Sequence, residues 1–137
     1  LEVVSDGKYQ VVQAKDIRQS ENHRLDPTNL YRVTPKRKAK KYKVTNEDVI
    51  FLSKGRHNYA TFIEGLPNDS QTIVAGYFFI LRTKTKIIIP EYLAWSINHP
   101  LSQAYLQSVA RGSGMHFIPK DAFSNLEIDV PPVKIQK

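Results

Sequence analysis

The stretch from Asp48 to Ala60 constrains the fold most, because a strand-like run in it ends at a polar turn and then resumes. Val49 to Leu52 is an apolar run of the length and the β-branched or aromatic character typical of a buried strand. Residues 59–63 regain this strand character after the break. Gly55 lies within the break, where a glycine permits either positive φ or a close backbone approach at the turn. The stretch therefore predicts a strand scaffold that holds up a short polar loop.

The loop itself carries side chains suited to phosphate oxygens or to base edges. An arginine can bind guanine O6 and N7 with two hydrogen bonds, and an asparagine can do the same for adenine N6 and N7. A solvated loop with incidental charges is the alternative, and the stretch alone leaves both interpretations open. The candidate DNA contacts in the loop are Lys54, Arg56, His57 and Asn58.

The positive charge of the chain is concentrated around the same stretch. Residues 32–56 contain nine lysines or arginines and two acidic residues, and this excess of seven equals the net charge of the whole chain. Such a localised electropositive region suits a polyanion such as nucleic acid. A run of charge is more often a solvated face or a mobile arm, although Tyr42 and Val44 would tether this one to the fold. The candidate phosphate contacts in the run are Lys36, Lys38, Lys40 and Lys41.

Short strands and helices follow one another along the rest of the chain. The most apolar segment, Thr72 to Leu81, is predicted to be one central strand with Gly76 as a bulge or a close-packing point. Pro90 and Pro100 are each predicted to open a helix, since a proline at the first helical position loses no hydrogen bond. The remaining predicted elements are strands at 9–12, 31–33, 87–89 and 126–130 and a helical turn at 119–123. The expected fold is a single α+β domain over residues 1–137, with a mixed, mostly antiparallel twisted sheet and two or three short helices.

A second polar loop follows the helix that opens at Pro100. Its candidate DNA contacts are Arg111, Ser113 and His116. Each has a structural alternative: Arg111 as a cation stabilising a helix C-terminus, Ser113 as part of a turn, and His116 as a surface strand residue. Residue types alone do not choose between these roles.

Several kinds of chemistry are not expected. The chain has no cysteine, no glycine-rich phosphate loop and no histidine cluster with metal-ligand spacing, so neither a catalytic site nor a cofactor is predicted. Glu47 and Asp48 near Lys54 imitate a nuclease site poorly. No apolar run approaches the ~20 residues of a membrane helix, and no signal peptide is visible, which favours a cytoplasmic location. Because Leu1 begins the chain and Met115 is its only methionine, we expect a trimmed start.

Five segments in a fixed order carry a family resemblance. Together they are similar to the target recognition domain of type I restriction–modification specificity subunits, over nearly the whole chain. The segments are AKDI (14–17), EDVIFLSKG (47–55), IIIPEYLAWSIN (87–98), ARGSG (110–114) and LEIDVPP (126–132).

The resemblance implies a non-catalytic α/β domain that reads one half of a bipartite double-stranded DNA site. It implies methyltransferase (M) and restriction (R) subunits as partners, which perform methylation and cleavage. Family members carry long spacer helices that would begin after Pro131-Pro132, and these are not expected in a chain ending at Lys137. Two other functions stay open: a basic protein-interaction module, and a nuclease with an unrecognised site.

Overall fold

The α+β class is confirmed in the computed structural model, which describes residues 8–28, 30–34, 39–55, 57–67, 71–83, 87–113 and 115–136. Four α-helices are described, so the estimate of two or three is low. The strands are β1 (Tyr9–Val12), β2 (Ile17–Arg18), β3 (Arg24–Leu25), β4 (Tyr31–Val33), β5 (Lys43–Val44), β6 (Val49–Leu52), β7 (Ala60–Phe62), β8 (Thr72–Val74) and β9 (Phe78–Leu81). The helices are α1 (Pro90–Asn98), α2 (Pro100–Val109), α3 (Lys120–Ser124) and α4 (Val133–Gln136).

The described strands form three sheets. One has four strands in the order β4-β1-β8-β5, a second pairs β2 with β3, and a third has the order β7-β6-β9. Only β1 and β8 pair in parallel among these strands, so the prediction of a mixed, mostly antiparallel arrangement is confirmed.

The segment Thr72 to Leu81 is two strands, so its prediction as one central strand was wrong. Ala75 donates its N–H to the carbonyl of Val12 at 3.0 Å, and Phe78 donates to the carbonyl of Ala75 at 3.1 Å. The second bond closes a turn in which Gly76 is exposed. Because of this turn, β8 lies in the four-stranded sheet and β9 in the three-stranded sheet. Both strands are apolar, so their composition gives no sign of the break between them.

Residues 87–89 do not form the predicted strand. Their backbone groups are hydrogen-bonded to the side chain of Gln136 and not to a neighbouring strand. The amide of Gln136 accepts a hydrogen bond from the N–H of Ile89 at 2.7 Å and donates one to the carbonyl of Ile87 at 3.0 Å. Residues 126–130 are also outside any sheet, so the predicted strand there was wrong. Leu126 and Ile128 are half-buried and line a groove beside β9, but Val130 is exposed, so the predicted alternation of burial holds only as far as residue 129. The helices opened by Pro90 and Pro100 and the helical turn near 119–123 are confirmed, and α4 was not predicted.

Strand β6 is buried on both faces. Ile50 packs in a cluster with Val12 and Val74, whereas Val49 and Phe51 pack in a second cluster under α1 and α2. Alternate side chains of a strand point to opposite faces, so a strand covered on both sides reads as a continuous apolar run. This burial explains why residues 49–52 were recognisable as a strand.

Phe51 joins the sheet to the helical layer. Its ring centroid lies 4.3 Å from that of Phe123 and 6.0 Å from that of Phe79, and its side chain is fully buried.

Phe51→Ala should lower the free energy of unfolding by about 3–5 kcal/mol, because it removes buried aromatic area and leaves a cavity. Urea unfolding of the chain measures this. The control Leu101→Ala removes a side chain that is 77% exposed and should change stability by less than about 0.5 kcal/mol. Equal losses in the two variants would contradict the central place of Phe51.

Candidate nucleic-acid interface

Ser53 anchors the point at which the chain leaves β6. Its N–H donates to the carbonyl of Tyr77 at 2.9 Å, and its hydroxyl donates to the same oxygen at 2.6 Å. Ser53 is buried, so both bonds are shielded from water. The first residue of the polar loop is therefore held rigidly against the turn between β8 and β9.

Three backbone segments then form a small antiparallel ribbon, which we define as residues 53–55, 110–112 and 116–118. Phe117 donates its N–H to Arg111 and accepts the N–H of Arg111, both at 2.9 Å. On the other side, Gly55 donates to His116 and Ile118 donates to Ser53, both at 2.7 Å, which pairs Lys54 with Phe117. The two polar loops predicted separately from the sequence thus share one backbone framework.

The register of the ribbon decides which side chains face outward. Residues paired across antiparallel strands project from the same face. Lys54, Phe117 and Arg111 are all exposed and form one row. Ile118 is fully buried and His116 is half-buried, with a buried Nε2 atom that has no hydrogen-bond partner. His116 therefore points away from the exposed face of the ribbon and is not among the proposed contacts.

Asn58 is fully buried and serves the loop itself. Its amide nitrogen donates to the carbonyls of Leu52 and Gly55, both at 3.1 Å, and its amide oxygen accepts from Gln107 at 3.3 Å. A buried amide with these partners cannot reach a base edge. The expectation that Asn58 reads DNA is therefore withdrawn, and its role is to close the loop after β6.

Two further contacts hold the end of this loop, at Tyr59 and Ala60. The ring of His23, in the turn between β2 and β3, stacks on Tyr59 with 4.0 Å between ring centroids. Burial lowers the pKa of His23, which favours the neutral ring in this stack. Asn98 at the end of α1 accepts the N–H of Ala60 at 2.7 Å and donates to its carbonyl at 2.8 Å, as a paired strand would.

The other predicted site residues fall into three groups. His57 and Ser113 are exposed near the ribbon segments in sequence. Lys41 is exposed and lies with Arg82 and Lys120 at a groove of about 750 Å³ beside β9. Lys36, Lys38 and Arg56, with the side chain of Lys40, lie outside the described residues.

Phe117 has no predicted role from the sequence. The signal that could have indicated its orientation is the alternation in residues 115–118, in which Met115 and Phe117 are exposed whereas Ile118 is buried.

The carboxylate of Asp48 has structural partners. It accepts the N–H of Thr45 at 3.0 Å across the turn before β6 and lies 3.3 Å from the Nε atom of Arg82. Within the described residues, no cluster of three or more His, Asp or Glu side chains could hold a metal ion. Of the described helices, none has the length and apolar character needed to cross a membrane.

Comparison with known proteins identifies a family. A family model described as the type I restriction modification DNA specificity domain matches residues 2–137. The specificity subunit of the type I restriction enzyme MjaVIII from Methanocaldococcus jannaschii is 30% identical over 94 residues. That alignment covers 69% of this chain and 20% of the relative, so the chain spans about a fifth of the length of that protein.

Gly112 should be indispensable for the ribbon. Its φ is +99°, and a Cβ atom there would overlap the carbonyl oxygen of Met115. Gly112→Ala should open the ribbon and lower the hydrogen-exchange protection of the Phe117 amide. The matched control is Gly55→Ala, with φ +92° but no atom near the added Cβ, which should cost only about 1–2 kcal/mol of backbone strain. Unchanged protection in Gly112→Ala would rule out this packing.

Proposed function

The chain belongs to the family of type I restriction modification DNA specificity domains, and we propose that it reads one half of a bipartite double-stranded DNA site. One observation supports this proposal beyond family membership. The ribbon joins the loop after β6 to the loop after α2, so that Lys54 and Arg111 present their cationic side chains on the same exposed face. Side chains on a rigid, hydrogen-bonded framework keep their spacing, which sequence reading requires.

Base contacts are assigned to the ribbon and its adjoining loops. Arginine and lysine are hydrogen-bond donors that suit the guanine acceptors O6 and N7. The proposed base-reading residues are Lys54, Arg56, His57, Arg111 and Ser113.

Phosphate contacts are assigned to the basic run, which would supply affinity without sequence information. The nine basic residues between positions 32 and 56 make this the most cationic part of the chain. Lys41, Arg82 and Lys120 lie around one groove, so the positive region extends beyond the run itself. The proposed phosphate contacts are Lys36, Lys38, Lys40 and Lys41, with Lys120 added from the structure.

We propose that the domain is non-catalytic and needs no cofactor of its own. The relative from Methanocaldococcus jannaschii is named as the specificity subunit of a type I restriction enzyme. By analogy, methylation and cleavage would belong to methyltransferase and restriction subunits, and the domain would direct both to one site in the cytoplasm.

Binding of the full-length protein to duplex DNA should weaken steeply with salt. If roughly four to six phosphates are contacted, log K should fall against log salt concentration with a slope of about −4 to −5, because counterions are released from the duplex. Fluorescence anisotropy between low and moderate salt measures the slope. No duplex binding in low salt would reject the proposal and favour the basic protein-interaction module instead.

The two classes of basic residue should respond differently to substitution. Changing Lys38, Lys40 and Lys41 to alanine should weaken binding to all duplexes alike and flatten the salt slope by about one unit per lost contact. Changing Arg56 or Arg111 to alanine should cost about 1–3 kcal/mol on the cognate half-site and much less on random duplexes. The cognate half-site is obtained by selection from random duplexes with the full-length protein and its partner subunits.

Lys134→Ala is the matched control, since it removes an exposed lysine from α4. It should leave both the affinity and the cognate preference unchanged. If the lysine and arginine variants lowered cognate and random binding by one common factor, the ribbon would be a phosphate clamp, and base reading would have to lie elsewhere.

A further inference from the structure

An aromatic side chain lies between the two outward cations of the ribbon. Phe117 is paired with Lys54 on one side and with Arg111 on the other, and its side chain is 36% exposed. Its backbone N–H and carbonyl are both bonded to Arg111, so its position does not depend on burial of the ring. A partner that matches this row would place an apolar group against the ring of Phe117 and hydrogen-bond acceptors against the two cations.

The width of this row distinguishes between the two grooves of DNA. Paired residues in antiparallel strands have Cα atoms about 4.5 Å apart without reciprocal hydrogen bonds, as for Lys54 and Phe117. The distance is about 5.5 Å with reciprocal bonds, as for Arg111 and Phe117. The outer Cα atoms of the row are therefore roughly 10 Å apart, so its three side chains cannot all enter the ~6 Å minor groove, whereas they can reach together into the ~12 Å major groove.

In the major groove, one base feature is apolar. Thymine presents its C5-methyl group there, whereas the other edges present hydrogen-bond donors and acceptors. Lysine and arginine carry only donors and cannot sense a methyl group, but a phenyl ring can. We propose that Phe117 is a specificity-determining residue that contacts a thymine methyl group in the major groove. This inference rests on the proposed function.

The local structure supports an open position for the ring. The ring lies close to Gly112, because a Cβ added to Gly112 would lie 3.4 Å from the Cδ1 atom of Phe117. Met115, which is 65% exposed, lies two residues earlier in the same alternating segment and extends the apolar surface. Because Ile118 is buried in the cluster beneath α1 and α2, the segment cannot rotate to hide Phe117 without exposing Ile118.

The test is a double-mutant cycle between protein and DNA. Duplexes are selected from a random pool with the full-length protein and its partner subunits, and each thymine of the selected half-site is replaced in turn by uracil, which removes only the methyl group. At one position uracil should weaken binding about three- to tenfold, as expected for the loss of one apolar contact. Phe117→Ala should weaken binding to the thymine duplex by the same factor and should no longer distinguish thymine from uracil.

Two controls separate this contact from other effects. Phe117→Ala should lower cognate affinity and leave the salt slope unchanged, because no charge is lost. Lys54→Ala and Arg111→Ala each remove a cation, so they change cognate affinity through a charged contact. Trp95→Ala removes another exposed aromatic, on α1, and should keep the full response to uracil. Retained hydrogen-exchange protection at residue 117 verifies that the ribbon is intact in Phe117→Ala.

The outcomes separate this inference from the proposed function. Selection that enriches no duplex would reject DNA reading as a whole. If binding is sequence-specific but the affinity losses from Phe117→Ala and from uracil substitution are independent, their factors multiply in the combined complex. That outcome would leave the proposed function intact and overturn the role of Phe117. A selected half-site without any uracil-sensitive thymine would overturn it equally.

Discussion

The burial of β6 on both faces is the constraint on which the rest of the structure depends. Its side chains alternate between the cluster that contains Val12 and the cluster beneath α1 and α2, so one strand ties the sheets to the helices. The end of this strand is held by the two hydrogen bonds from Ser53 to the carbonyl of Tyr77. The polar loop that follows therefore starts from a buried strand end with two hydrogen bonds to one carbonyl.

Backbone hydrogen bonds connect the exposed ribbon to the buried core. Ile118 illustrates this, because its side chain is buried in the core while its N–H bonds to Ser53 in the ribbon. The same alternation turns Phe117 outward. The exposed side chains of the ribbon thus take their spacing from hydrogen-bonded neighbouring segments, which is what the proposed DNA contacts require.

Several amide side chains inside the domain form the hydrogen bonds that a neighbouring strand would otherwise make to the backbone. Asn98 satisfies both backbone groups of Ala60, and Gln136 does so for the segment before α1. Asn58 closes the loop after β6 by donating to the carbonyls of Leu52 and Gly55. Buried amides have donors and acceptors that match a peptide group, so they can terminate a sheet without leaving unpaired backbone groups. This explains why an asparagine in a polar loop proved to be structural.

The sequence by itself determined the features that depend on local composition. These are the buried strand at residues 49–52, the turn at Gly55, the proline-initiated helices, the concentration of charge and the order of family segments. Tertiary structure alone decided that Thr72–Leu81 divides between two sheets, that Asn58 is buried, and that Phe117 joins Lys54 to Arg111. The physical reason is that burial and pairing arise between residues far apart in the chain, such as positions 54 and 117, whereas turn formers, helix starts and charge act over a few neighbouring residues.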